Sequence, residues 1–180
     1  MASTEEHFAM DAPRLDPAPH LLLVTAPFYR RIADWLIEGA SSAIESAGGT
    51  VEAIEVPGAL ELPTAIRLAS RTGRYDGFVA LGCVIRGATT HYETVCNDSS
   101  RGITLLGLDG LCIGNGILTV ENMDQAVERA DPAQMNKGGG AAIAALHLIA
   151  LDRRFRAPAP VADPQSEILM AGTAGPKDTA

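Results

Sequence analysis

Hydrophobic and polar positions along the chain fall into two alternating periods. Leu21–Thr25 (LLLVT) is a short apolar run suited to a strand buried on both faces. Residues 30–47 then carry Ile32, Leu36, Ile37, Ala40, Ala43, Ile44 and Ala47 at helical spacing, closed by Gly48-Gly49. Thr50–Val56 alternates as a strand does, and Pro57-Gly58 breaks it. Pro63 suits the start of a helix through Ala65, Ile66 and Leu68 that ends by Gly73. Phe78–Ile85 (FVALGCVI) is a third apolar run, and Thr90-x-x-Glu93 after it has the form of a capping box. A fourth strand is predicted over Leu111–Thr119, loosened by Gly114 and Gly116. Asn122-x-x-Gln125 opens a helix to about Ala130, and a last helix follows over about 137–155, with Gly138–Gly140 at its start.

Four strand–helix alternations imply parallel strands joined by right-handed crossovers. The predicted fold is α/β, a three-layer αβα arrangement with a flavodoxin-like four-stranded parallel sheet and helices on both faces. Ligands of such sheets bind at the carboxyl ends of the strands. The turns at 26–30, 57–63, 85–93 and 117–122 are therefore where chemistry is expected. Outside this segment (20–156), residues 1–19 read as a flexible leader and 157–180 as a flexible, Pro/Ala-rich tail with four prolines and no periodic pattern beyond a short EILM.

Composition narrows the function classes. Lys plus Arg number 14 and Asp plus Glu 22, a formal net charge of −8. That balance lacks the basic surface needed to track a nucleic-acid backbone and the basic amphipathic face of a membrane-surface binder. The most apolar stretch, 141–151, contains His147 and falls short of the roughly 20 residues of a spanning helix. Cys83, Cys96 and Cys112 are odd in number with no CxxC pair, which fits neither a disulfide framework nor a zinc site. Reduced thiols and the absence of a secretory h-region point to the cytoplasm. With one Trp, three Tyr and four Phe in 180 residues, the core must be mostly aliphatic, and Phe28 and Tyr29 in the first turn stand out.

The third turn is the most informative. Arg86-Gly87-Ala88-Thr89-Thr90-His91 leads from a buried strand into a helix. Gly87 permits close backbone approach, and the amides of Ala88, Thr89 and Thr90 at a helix N-terminus form a ready anion site. His91 is either an exposed first-turn residue or a general acid/base beside that anion. Glu61 either complements a helix dipole or contacts a ligand, and Phe28 either packs in the core or stacks on a heterocycle. Arg129 and Lys137 are ambiguous between solvated charge and ligand contact. Gly138–Gly140 do not make a phosphate loop, because the order is wrong for GxxxxGK[ST] and no strand immediately precedes them. There is also no GxGxxG after the first strand, so a dinucleotide site is not indicated.

Taken together, VPGALELP (56–63), GCVIRGATTHYETVCNDSSRGI (82–103), NGILTVENMDQAVERA (115–130) and NKGG (136–139) resemble the 6,7-dimethyl-8-ribityllumazine synthase family, in that family's order and spacing. The likeness covers about 20–156. It implies a transferase that condenses 5-amino-6-(D-ribitylamino)uracil with 3,4-dihydroxy-2-butanone 4-phosphate, releasing phosphate and water, in the penultimate step of riboflavin biosynthesis. It implies no metal, no organic cofactor, and a homopentamer that in some members builds a 60-subunit shell, with each site shared between neighbouring subunits. By the same resemblance, His91 is the proton-transfer residue and Phe28 stacks on the pyrimidine. Ala59, Leu60 and Glu61 hold the ribityl chain and ring. Cys83, Val84 and Ile85 contact the pyrimidine. Ala88 and Thr89 offer amides to the phosphate, Arg129 binds it, and Lys137 lies near the substrate. Asn115 departs from the pattern: many members carry there an aromatic that packs on the pyrimidine from the neighbouring subunit. Two other readings share the fold. A riboflavin-forming lumazine dismutase would lack the full RGATTHY pattern with Arg129 at this spacing. A non-catalytic flavin-binding or shell protein would not need His91, Arg129, Lys137 and Glu61 intact.

Overall fold

The computed structural model describes residues 10–157. Strand and helix alternate as β1 (His20–Thr25), α1 (Arg30–Ser46), β2 (Thr50–Glu55), a 3₁₀ turn (Ala59–Glu61), α2 (Leu62–Ser70), β3 (Gly77–Ile85), α3 (His91–Leu108), β4 (Ile113–Val120), α4 (Met123–Ala130) and α5 (Lys137–Arg156). The four strands form one sheet in the order β2-β1-β3-β4, every neighbouring pair parallel. Helices cover both faces, giving the three-layer α/β fold that the alternation predicts. The chain leaves β1 toward β2 on one side and later toward β3 on the other. This reversal opens a crevice at the carboxyl ends of β1 and β3.

Alternation along the strands sorts the core into two clusters. On one face Leu21, Leu23, Val79 and Leu81 pack against Ile32, Leu36 and Ile44 of α1 and Ala142, Leu146 and Ile149 of α5. On the other, Leu22, Val24, Phe78 and Ala80 meet Leu62 and Ile66 of α2 and Ile103 of α3. The glycines at the start of α5 serve the first cluster. A Cβ on Gly138 would lie 2.2 Å from the Leu36 carbonyl oxygen of α1, and one on Gly114 of β4 would lie 1.9 Å from the Ala141 carbonyl oxygen. Only a bare Cα lets helix meet helix and helix meet sheet at this distance.

Two helix starts carry side-chain caps, the first as its sequence indicates. The Asn122 side chain accepts from the Gln125 amide at 3.0 Å, and the Gln125 side chain returns to the Glu121 amide at 3.0 Å. Asn136, at φ 45°, caps α5 by accepting from the Gly139 amide. The capping box expected at α3 does not form: Thr90 is itself in helical conformation and makes no side-chain cap bond, and Glu93 turns to Arg86.

Residues 10–19 also differ from the expected flexible leader. Ala12 and Leu15 pack on the first cluster, the Asp11 carbonyl lies 2.9 Å from His147 Nε2, and Arg153 Nη1 donates to the Pro17 carbonyl at 2.5 Å. Apolar contacts and backbone hydrogen bonds hold this stretch where composition alone suggested none. Residues 1–9 and the expected tail from 158 onward lie outside the described residues.

Candidate functional site

A cleft of about 410 Å³ opens at the crevice between the ends of β1 and β3. Three chain segments build its walls. After β1 come Ala26, Phe28 and Tyr29; after β2 come Pro57, Gly58 and the 3₁₀ residues Ala59, Leu60 and Glu61. The end of β3 and the start of α3 supply Cys83, Val84, Ile85, Gly87, Thr89, His91, Tyr92 and Val95. The lining is mainly apolar with a few polar groups, the composition of a small-molecule site.

The polar and aromatic groups are placed for recognition. Phe28 is 75% exposed, which is unusual for a Phe in a chain with so few aromatics, and it meets Tyr29 edge-on at 5.1 Å. That leaves a ring free to stack on a flat heterocycle. Glu61 Oε2 lies 3.0 Å from where a Cβ on Gly58 would sit, so the carboxylate folds over this glycine at the cleft wall. The His91 amide is 3.4 Å from Thr89 Oγ1, and both residues line the cleft. Burial pushes the Cys83 thiol up to about 11, so it is a neutral thiol at pH 7, a packing and hydrogen-bonding group with no thiolate character.

Of the residues that the sequence singled out, Phe28, Ala59, Leu60, Glu61, Cys83, Val84, Ile85, Thr89 and His91 meet in this cleft. Ala88 is exposed in the turn beside it. Asn115, Arg129 and Lys137 do not line it. Asn115 is exposed on β4, where its Oδ1 accepts from the Ile117 amide at 3.0 Å. Arg129 ends α4, its guanidinium donating to the Gln125 carbonyl at 3.2 Å and pairing with Glu128 at 3.3 Å. Lys137 is exposed at the first position of α5. Sequence reasoning missed Val95, which lies outside every turn it named. Val95 lies one helical turn after His91, and that i, i+4 spacing was the available signal.

Arg86, just after β3, does not line the cleft itself but packs on Tyr92, which does. Its Nη1 donates to Glu93 Oε1, its Nε donates to Glu121 Oε2 at 2.8 Å, and the guanidinium lies 4.1 Å from the centre of the Tyr92 ring. The hydrogen bond from Arg86 holds the Glu93 carboxyl below the usual range. Among the described residues no three His, Cys, Asp or Glu side chains converge as a metal site would require. No helix among them is long and apolar enough to cross a membrane.

An open parallel sheet with an apolar, ring-bearing cleft at its topological switch point, and a histidine in the first turn of the adjoining helix, defines an α/β protein with the form of a small-molecule site. The comparisons carry this to a family. Residues 18–153 match the family model described as 6,7-dimethyl-8-ribityllumazine synthase. A relative from Jannaschia sp. (strain CCS1) is 56% identical over 146 residues, covering 81% of this chain and 82% of its own. One from Zymomonas mobilis subsp. mobilis is 59% identical over 134 residues, covering 74% and 96%. One from Bartonella henselae is 53% identical over 139 residues, covering 76% and 90%. All three bear the name 6,7-dimethyl-8-ribityllumazine synthase. The chain belongs to the 6,7-dimethyl-8-ribityllumazine synthase family.

Proposed function

We propose that this chain condenses 5-amino-6-(D-ribitylamino)uracil with 3,4-dihydroxy-2-butanone 4-phosphate to give 6,7-dimethyl-8-ribityllumazine, phosphate and water. The observation that carries the reading is the cleft itself, which gathers Phe28, Glu61, Cys83–Ile85, Thr89 and His91 from three separate turns. The exposed Phe28 ring stacks on the pyrimidine, and Ala59, Leu60 and Glu61 hold the ribityl chain, the carboxylate accepting from its hydroxyls. The strand end at Cys83, Val84 and Ile85 contacts the ring edge. The phosphate, with about two negative charges, sits on the amides of Ala88 and Thr89 at the α3 N-terminus and on Arg129.

Imine formation, phosphate loss and ring closure each move protons. His91 exchanges them, which is worth about 10²–10⁴-fold. Holding two substrates in one cleft supplies the larger, entropic part of the acceleration. Asn115, Arg129 and Lys137 lie outside this chain's own cleft, a placement that supports a site completed by a neighbouring copy in a homopentamer, which in turn could build a 60-subunit shell. Asn115 donates hydrogen bonds where an aromatic would stack, at some cost in substrate affinity. The synthase domain is taken as about 20–156, acting in the cytoplasm.

The test is to mix purified protein with both substrates and follow lumazine absorbance and fluorescence. Product formation at a rate that saturates in each substrate is expected. An inert protein that instead converts added lumazine to riboflavin, or binds flavin without turnover, overturns the reading.

A further inference from the structure

Two walls of the cleft, those after β1 and β2, are anchored unequally. The wall after β2 is held by packing, since Ala59 and Leu62 are buried in the second core cluster on either side of Leu60 and Glu61. The wall after β1 carries Phe28, whose ring is 75% exposed. Core packing does not aim that ring, so its direction follows the backbone that carries it. The last backbone hydrogen bond between the two walls runs from the Val56 amide to the Thr25 carbonyl at 2.9 Å. Beyond it the two turns part.

One side-chain link joins them past that point. Arg30 opens α1, two residues after Phe28, and Glu55 ends β2, two residues before Pro57. Arg30 Nη1 donates to Glu55 Oε1 at 2.5 Å and Nη2 donates to Oε2 at 3.1 Å, a two-bond fork. The hydrogen bond from Arg30 holds the Glu55 carboxyl below the usual carboxylate range, so the pair is charged at neutral pH. Asp34, one turn along α1, lies 3.7 Å from the same Nη1 and keeps the guanidinium at this end of the helix. Among the described residues no other hydrogen bond joins 26–30 to 55–61. Neither Arg30 nor Glu55 lines the cleft, so the pair acts through the turns it ties.

We propose that Arg30 and Glu55 are positioning residues whose fork ties the Phe28 turn to the 57–61 turn and so sets the width of the slot for the aminouracil, with its pyrimidine on Phe28 and its ribityl chain along 59–61. This deepens the function proposed above and rests on it. The effect is specific to one substrate. Both tied turns meet the aminouracil, whereas the butanone phosphate sits on the 88–89 amides and Arg129, which the fork does not touch. Its size is modest, because both side chains are about half exposed. An ion pair so placed favours the joined arrangement by up to roughly fivefold.

The test is a set of variants assayed with each substrate varied in turn, with circular dichroism and sedimentation confirming fold and assembly. Arg30→Met and Glu55→Gln each break the fork. In either, KM for the aminouracil is expected to rise about three- to fivefold, while kcat and KM for the butanone phosphate stay within about twofold. Either variant reads this split if the other does not fold. The decisive protein carries both substitutions. A fork already broken cannot be broken again, so its aminouracil KM is expected to match the single variants, where independent roles would multiply to about tenfold or more. An unchanged aminouracil KM, an equal rise for both substrates, or a multiplied effect in the double variant overturns the proposal. Calorimetric titration with 6-(D-ribitylamino)uracil, which lacks the reacting 5-amino group, reads the same shift without turnover. A wild-type protein that binds this pyrimidine but makes no lumazine refutes the function and leaves the fork testable by binding. One that does neither refutes both.

Discussion

The two faces of the sheet are finished to different degrees. On the face covered by α1, α4 and α5, helix meets helix and strand at glycine-limited distances, and α5 buries seven residues, including Gly138, Ala142 and Leu146. On the face covered by α2 and α3, only Ser99 and Ile103 of the 18-residue α3 are buried, while Leu68, Leu105 and Leu108 stand 57%, 58% and 81% exposed. The cleft opens beside this second, loosely covered layer. The difference teaches that the chain's tightest packing lies on the first face, while its cleft opens beside the second.

The largest expected effect breaks the closed face. Gly138→Ala places a methyl against the Leu36 carbonyl, and unfolding free energy should fall by about 3 kcal/mol or more in a denaturant titration. A fall under ~1 kcal/mol would mean that α1 and α5 slide apart easily and the contrast between faces is false. Next in size, Arg129→Ala should leave the fold intact and raise KM for the butanone phosphate about 10–100-fold, as the loss of a charge-assisted hydrogen bond does. An equal effect on the aminouracil KM would place Arg129 elsewhere.

Alkaline pH probes the closed face through Cys83 and Cys112, whose thiols burial raises from 9.0 to about 11. A raised folded-state value means that the folded protein binds more protons, so this stability is present below about pH 9 and is lost as pH rises through about 11. Unfolding free energy should decline across that window, and less steeply in the Cys83→Ala, Cys112→Ala double variant. Smallest is Gly107→Ala on α3, where a Cβ would meet nothing within 4 Å. It should gain up to about 1 kcal/mol from helix propensity. A loss there would show that another chain packs against α3.

Element order and type were legible because the patterns that set them are local. LLLVT and FVALGCVI fall within β1 and β3, and Asn122 caps α4 as its spacing to Gln125 indicates. Glu93 was misread as a cap because its partner, Arg86, lies seven residues back, just after β3. Gly138 owes its identity to Leu36, a residue of α1 far away in sequence, which no local pattern shows. The cleft's own residues were legible from the turns that carry them. Arg129, Lys137 and Asn115 were singled out through the family resemblance, and a single chain does not bring them to the cleft.

Subunit mixing tests that division most directly. His91→Ala and Arg129→Ala proteins are each expected to be impaired alone. They are unfolded, mixed in equal amounts and refolded together. If His91 and Arg129 of one site come from different copies, about a quarter of the sites in the mixture carry both wild-type residues, and lumazine synthesis should return to about a quarter of the wild-type rate. A mixture no more active than the average of the two variants, with assembly confirmed by sedimentation, would contradict a shared site and place the whole reaction within one chain.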